Sequence, residues 1–233
     1  MRDLTTNKTA QNSSPSTDRG RGEADAEAAK IQQALIPRLE NKALHYLGRY
    51  PSSAANLRQV LRRFVNRKVM RSHKFADYKA KQNDSAGWEE LVGTAIDTLI
   101  GRYSELGYVN DEDYAKNRIR LLRGRGASGR HITAYLLSKG VSLPLIKQAL
   151  ASSNAEFSAH IVADDGENHE NVTELAAARR YAARRRLGCY ATATGRRKPD
   201  WERRHLASML RAGFGYAVAK EALAKKPDSD SEG

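Results

Sequence analysis

The feature that most constrains this chain is a helical pattern written twice. Leu143, Ile146, Ala149 and Leu150 follow Gly140, and Tyr216, Ala219, Ala222 and Leu223 follow Gly213, at the constant offset of 73 residues that separates the two glycines. Steps of three and four residues put each set on one helix face, and a glycine in front is the residue that most readily ends the preceding helix. Such a repeat points to small helical modules that need their neighbours to bury an apolar face, and to a binding surface rather than a catalytic one.

The rest of the chain keeps the same period. Leu57, Val60, Leu61, Phe64 and Val65 follow the i, i+3, i+4, i+7, i+8 rule. Val92, Ile96, Leu99, Tyr103 and Leu106 form another stripe that stops at Gly107. No segment shows sustained two-residue alternation rich in Val, Ile and Thr, so the expected class is all-α, as tandem three-helix repeats in an elongated arrangement with a disordered tail at each end. Hydrophobic residues make up 40% of the chain and mean hydropathy is -0.68, so the cores are thin and each helix shows much of itself to solvent.

Boundaries follow from composition and punctuation. Residues 1–34, with Asn12-Ser13-Ser14-Pro15-Ser16-Thr17 and Arg19-Gly20-Arg21-Gly22, bury too little to offset chain entropy and are expected to be a disordered tail, with a helical end near Glu27 as an option. Residues 35–107 form a first module, its opening helix begun by Pro37 and carrying Leu39, Ala43, Tyr46, Leu47 and Tyr50. Tyr50-Pro51-Ser52-Ser53 stops that helix and caps the next, and the basic segment from Arg67 to Gly87 is an insertion whose Gln82 to Gly87 stretch is read as a loop.

A second module covers 108–151. Asn110 caps its first helix, with Asp111, Glu112 and Asp113 in the first turn, where they suit the orphan N–H groups and the dipole. Its second helix runs from Ser128 to Lys139, its third from Ser142 to about Leu150. Residues 152–171 read as an acidic linker, although Phe157, Ile161 and Val162 suit a helix extension. The third module spans 172–224, with Leu175, Ala178 and Ala182 inward on its first helix, a loop from Cys189 to Lys198, and a second helix capped by Asp200 with Leu206, Met209 and Leu210 inward. Residues 225–233 form an acidic tail.

Catalytic signatures are weak or better explained otherwise. Gly124, Gly126 and Gly129 spell the G-x-G-x-x-G of dinucleotide folds, but they follow a helix rather than the strand that motif requires, so they are read as a helix–helix turn. Asp111, Glu112 and Asp113 are consecutive at a helix start and spread around its circumference, which suits capping better than paired acid–base work. The six histidines show no i, i+4 pairing, and the single Cys189 excludes an internal disulfide and a cysteine-rich zinc site. The chain is therefore expected to have no enzymatic activity, no cofactor and no metal, and to be a cytoplasmic, monomeric protein without a membrane segment.

Charge supplies the positive clue. With 40 Lys+Arg against 27 Asp+Glu the chain carries +13, and its pI is near 9.9, which favours polyanions or acidic protein surfaces. The cations come in runs, one per module: Arg58, Arg62, Arg63, Arg67 and Lys68, then the first helix of module two, then Arg179 to Arg186 with Arg196-Arg197-Lys198 beyond. Lys116, Arg120 and Arg123 share one face of that helix, opposite Tyr114, Ala115, Ile119 and Leu122. Arg118 falls inside the apolar arc and must either snorkel or meet a partner. Lys116, Arg120, Arg123, Arg125 and Arg130 are the expected central contact and Arg180, Arg184 and Arg185 a second, with Arg118, Lys139, Arg179, Arg203 and Arg204 as further candidates.

Tyr108-Val109-Asn110-Asp111-Glu112-Asp113-Tyr114-Ala115, then Arg130-His131-Ile132 through Leu136-Leu137-Ser138-Lys139-Gly140-Val141, resemble the RecX family of recombination regulators. The family's start, Gly-Tyr/Leu-hydrophobic-Asp-Asp with a following aromatic-Ala pair, fits Gly107-Tyr108 onward, and its Lys-Gly-hydrophobic helix end fits Lys139-Gly140-Val141. The run Leu206, Met209-Leu210-Arg211-Ala212-Gly213-Phe214 is similar to the family's last repeat, and the resemblance spans about Leu39 to Leu223. Asn110 in place of the usual first Asp, the basic insertion and the acidic linker depart from it. The resemblance implies tandem three-helix units lying in the groove of the RecA filament on single-stranded DNA. There they would restrain ATP hydrolysis, strand exchange and coprotease activity, and so DNA repair, recombination and the SOS response. RecA, single-stranded DNA and secondarily duplex DNA are the implied partners. The alternative reading is a general nucleic-acid-binding or helix-turn-helix protein acting on DNA directly, which would show a steep salt dependence without RecA.

Overall fold

A computed structural model describes residues 16–81, 85–160, 169–196 and 199–224. The described residues contain no strand, and the fold is all-α. They divide into two compact units: one holds the described residues up to Tyr46 together with Val60–Gly101, the other Leu47–Gln59 and the described residues from Arg102 onward.

In the first unit, helix α1 (Ser16–Leu47) begins well before the predicted start at Pro37, which lies inside it. Ile31, Leu35, Leu39 and Ala43 explain this, because at steps of four they form one buried row. Burying Ile31 and Leu35 is worth about 1.5–3 kcal/mol each, which offsets the roughly 3 kcal/mol of an interior proline. Part of the segment read as a tail is thus helix, whereas 1–15 and 225–233 lie outside the described residues. Helix α2 (Ala54–Arg67) belongs to this unit from Val60 onward and there buries Leu61 and Val65 as its spacing demands.

The basic insertion is ordered as a 3-10 turn over Val69–Arg71 and helix α3 (His73–Lys81). Phe75 and Tyr78 anchor it, their ring centroids each 6.3 Å from the buried Trp88 on α4 (Ser85–Glu105). Arg38 of α1 lies 5.1 Å over the Phe75 ring. Of the predicted loop, Ser85 to Gly87 belong to α4 and 82–84 lie outside the described residues. Leu106, predicted inward, is exposed just past the end of α4.

The second unit holds α5 (Asp111–Gly124), α6 (Gly129–Ser138) and α7 (Leu143–His160), then α8 (His169–Arg185), a 3-10 turn over Gly188–Tyr190, the four-residue α9 (Ala193–Arg196), α10 (Trp201–Arg211) and α11 (Tyr216–Ala224). Helix α7 takes in residues 152–160 of the predicted linker, 161–168 lie outside the described residues, and α8 takes the remainder from His169. One core gathers Tyr114, Ala115, Ile119, Ile132, Leu136, Val141, Ile146 and Ala149. A second gathers Ala177, Ala178, Ala182, Leu187, Met209, Phe214, Ala219 and Ala222.

Positions 73 residues apart behave alike. Leu136 and Met209 are fully buried, Val141 and Phe214 are buried behind Gly140 and Gly213, and Ile146 and Ala219 are again fully buried. The leading pair, Leu143 and Tyr216, is exposed in both copies and so does not join the inward face. Both glycines have positive φ, 75° and 92°. The residue after each donates its N–H five residues back, Val141 to Leu136 at 3.1 Å and Phe214 to Met209 at 3.2 Å, which ends the helix while satisfying its last carbonyls. Leu210, predicted inward, is exposed, and Asp200 precedes α10 in left-handed geometry without making a side-chain cap.

A single joint design occurs twice in this unit. Ser53 caps α2 by accepting the Asn56 N–H at 3.2 Å and donates its hydroxyl to the Lys139 carbonyl, while Asp111 accepts the Ala54 N–H at 2.8 Å. Ser128 caps α6 by accepting the His131 N–H at 3.2 Å and donates to the Ala212 carbonyl at 2.6 Å, while Glu174 accepts the Gly129 N–H at 3.1 Å. In each case a serine-capped helix start docks on the carbonyl before a left-handed glycine, and a carboxylate from another helix takes the next N–H. A Cβ on Gly140 would meet Ala55 Cβ at 2.3 Å, and one on Gly213 would meet Ser128 Oγ at 2.7 Å, so both approaches need glycine.

A basic cleft as candidate interaction site

The second joint forms the wall of an open cleft of about 460 Å³. The turn from Arg125 to Ala127, His131 of α6, Tyr181, Arg184 and Arg185 of α8, and Ser208, Arg211 and Ala212 at the end of α10 line it. Gly126 has φ 73°, and a Cβ there would stand 2.6 Å from the Tyr181 backbone N and 2.9 Å from the Ala177 carbonyl. The central glycine of the G-x-G-x-x-G string therefore lets α8 pack against the turn. Arg184 and Arg185 lie 5.8 and 6.0 Å from the centroid of Tyr181, whose other neighbour is the Phe214 ring at 5.6 Å. Guanidinium groups over an aromatic face lose little further freedom on binding an anion.

Comparison with known proteins decides the family. Over 189 residues, 81% of this chain and 86% of the relative, the sequence is 35% identical to the regulatory protein RecX of Myxococcus xanthus strain DK1622. This chain belongs to the RecX family. No protein-family model matches the sequence, and no solved structure matches the fold.

The cations predicted as the contact surface of this RecX-family chain fall into distinct groups. Arg123 is buried, and its guanidinium pairs with Glu174 and donates to the Ala127 carbonyl at 3.2 Å. Facial spacing placed it with Lys116 and Arg120, but α8 packs on α5 and covers that end. Lys116 is paired with Glu112 at 2.7 Å one turn earlier, and Arg120 is exposed on the same helix. Arg118 meets a partner: its Nε donates to the Tyr135 hydroxyl at 3.0 Å, and its guanidinium sits 5.9 Å from the Tyr114 ring and 5.3 Å from that of Tyr135. Burial pushes the Tyr114 hydroxyl up to about 12, helped by its hydrogen bond with Tyr135. Lys139 lies over the Tyr135 ring at 5.7 Å.

On α8, Arg179 approaches Glu221 at 3.7 Å and Arg180 donates to the Arg123 carbonyl at 3.5 Å. Arg130, Arg203 and Arg204 are exposed, and Arg203 lines a separate 410 Å³ cleft with Trp201, His205, Tyr216 and Lys220. The structure thus brings Arg125 together with Arg184 and Arg185, which the sequence placed in two contacts, and adds Arg211 and His131, which it did not single out. Those five come from four elements, with only Arg184 and Arg185 sharing a helix, so no one-helix periodicity could have found them together. Among the described residues no group of three metal-binding side chains converges, and no helix is long and apolar enough to cross a membrane.

Proposed function

We propose that this chain is a non-catalytic regulator of recombination that binds the RecA filament on single-stranded DNA and restrains its ATPase, strand-exchange and coprotease activities. Membership of the RecX family over most of the chain carries this reading. The modules supply a surface of cations without an attached reactive constellation, with Arg125, Arg184 and Arg185 central and Lys116, Arg120 and Arg130 flanking. Several modest contacts on one body gain from high effective concentration once the first has formed.

The test is the ATP hydrolysis rate of the cognate RecA on single-stranded DNA, titrated with this protein well below one copy per RecA protomer, with excess DNA as a control. Inhibition that survives excess DNA supports a filament regulator. A second reading, a direct DNA binder, is favoured by the cleft itself, and inhibition that excess DNA cancels would select it.

A further inference from the structure

We infer that the second unit carries two complementary ends by which copies of this chain join head to tail. One end is the exposed face of Leu106, Gly107 and Tyr108, and the other is the cleft of Trp201, Leu206 and Tyr216. The occupant of each end is the opposite end of a second copy.

The first argument is exposure. Tyr108 and Tyr216, each 60% exposed, and Leu106, 58% exposed, are the three most exposed large hydrophobic residues among those described, and all three belong to these ends. Apolar groups gathered in the open mark contact surfaces, and aromatic ones are enriched at the centres of interfaces. Each end also has a hollow. A cleft of about 440 Å³ beside Gly107 is lined by Tyr108, Tyr114 and Leu121, and the one between Trp201 and Tyr216 measures about 410 Å³.

The second argument is continuity with the joints inside the chain. Of the five glycines with positive φ among the described residues, four have an atom of another segment within 3 Å of the place a Cβ would take, whereas Gly107 has nothing within 4 Å. Yet Gly107 ends α4 as Gly140 and Gly213 end α6 and α10, for Tyr108 donates its N–H five residues back to the Tyr103 carbonyl at 2.9 Å. Helix α10 is the counterpart of α6 at the offset of 73, which sets Trp201 in the place of the Ser128 cap. None of the four covered glycines has the start of α10 against it. The unit thus holds a glycine end without a helix start and a helix start without a glycine end, and a second copy supplies each to the other.

The third argument is charge. Residues 105–113 include Glu105, Asp111, Glu112 and Asp113 and no cation, on a chain that carries +13 overall. The cleft at the other end has Arg203 and Lys220 against Glu202. Rims of opposite sign favour head-to-tail contact and disfavour the pairing of like ends. Such a contact leaves one free end of each kind, so assembly continues with concentration unless a ring closes, and the monomer expected from the sequence is the dilute form.

The experiment is analytical ultracentrifugation of the full chain, freed of nucleic acid, over about 1–200 µM, the range in which small interfaces assemble. The weight-average mass of the parent should climb above 25.9 kDa with concentration. E105K/L106K blocks the first end and R203A/Y216A the second, all four positions being exposed, and lysines at the end of α4 suit its dipole. Each variant alone should self-associate about 30-fold more weakly than the parent. An equimolar mixture keeps one intact pair of ends, so it should recover the parental affinity and stop at a 1:1 dimer. A parent of constant mass, a variant that associates like the parent, or a mixture that does not dimerise would each overturn the proposal. Circular dichroism checks folding, and where a double variant loses helicity, Leu106→Ala or Arg203→Ala takes its place under the same criteria.

Discussion

Replacing Gly126 and Gly124 by alanine should move stability in opposite directions. The two glycines stand two residues apart in one turn, yet their surroundings differ. At Gly126, φ is 73°, and holding an L-residue there costs about 1–2 kcal/mol. The added Cβ would also lie 2.6 Å and 2.9 Å from backbone atoms of α8, which cannot rotate aside as a side chain can. Moving the turn or the helix to relieve such overpacking costs a further 1–3 kcal/mol or so, giving a loss of about 2–5 kcal/mol. Gly124 is the last residue of α5, and a Cβ there meets nothing within 4 Å, so Gly124→Ala should gain about 0.5–1 kcal/mol. Urea unfolding followed by circular dichroism gives both differences, and thermal melts should follow at about 2–4 °C per kcal/mol. Gly126→Ala with an unchanged midpoint would refute the packing argument.

Other consequences concern the joints and one histidine. Glu174→Gln leaves the buried Arg123 without a counter-charge and should cost about 3–5 kcal/mol in urea unfolding, whereas R123M/E174M should recover much of that loss; equal losses in both would show that the pair is not the cause. Asp111→Ala removes only the acceptor of the Ala54 N–H and should cost about 1–2 kcal/mol, so a loss matching that of Glu174→Gln would contradict the ranking. Burial lowers His205 below the ordinary histidine value, and its Nδ1 accepts the Gly188 N–H at 3.0 Å. As pH falls, the unfolded chain therefore takes up this proton first, and stability should drop from about pH 6.5 downward until the folded histidine titrates too. His205→Asn should flatten the melting temperature between pH 7.5 and 5.5, and an unaltered profile would assign the pH dependence to other groups.

How much of this was legible depended on how far apart the determinants lay. Helix faces were readable where one helix carried the whole signal, as at Leu57, Leu61 and Val65, all fully buried. So were the glycine ends at 107, 140 and 213 and the Asn110 cap, which accepts from Glu112 and Asp113 as its position implies. Helix α3 was missed because only Phe75 and Tyr78 mark its inner face, and their value comes from Trp88, distant in sequence. Arg123 was misread for a related reason. Spacing shows that it shares a face with Lys116, but only α8 can show that this face is covered at one end.

The repeated joint shows where sequence periodicity stops being informative. Its glycine and carbonyl parts recur at 73 residues, but the serine recurs from 53 to 128, an offset of 75, and the carboxylate from Asp111 to Glu174, an offset of 63. No single period contains all three, and the acid changes type between copies. What is conserved between them is a physical requirement: a helix start with orphan N–H groups meets a helix end with orphan carbonyls, and a nearby carboxylate completes the set. At the second joint the same carboxylate also neutralises the buried Arg123. That acid is engaged by the Gly129 N–H and by Arg123, and none of the residues lining the adjacent cleft is acidic, so the charge of the cleft's arginines is not compensated by its own walls.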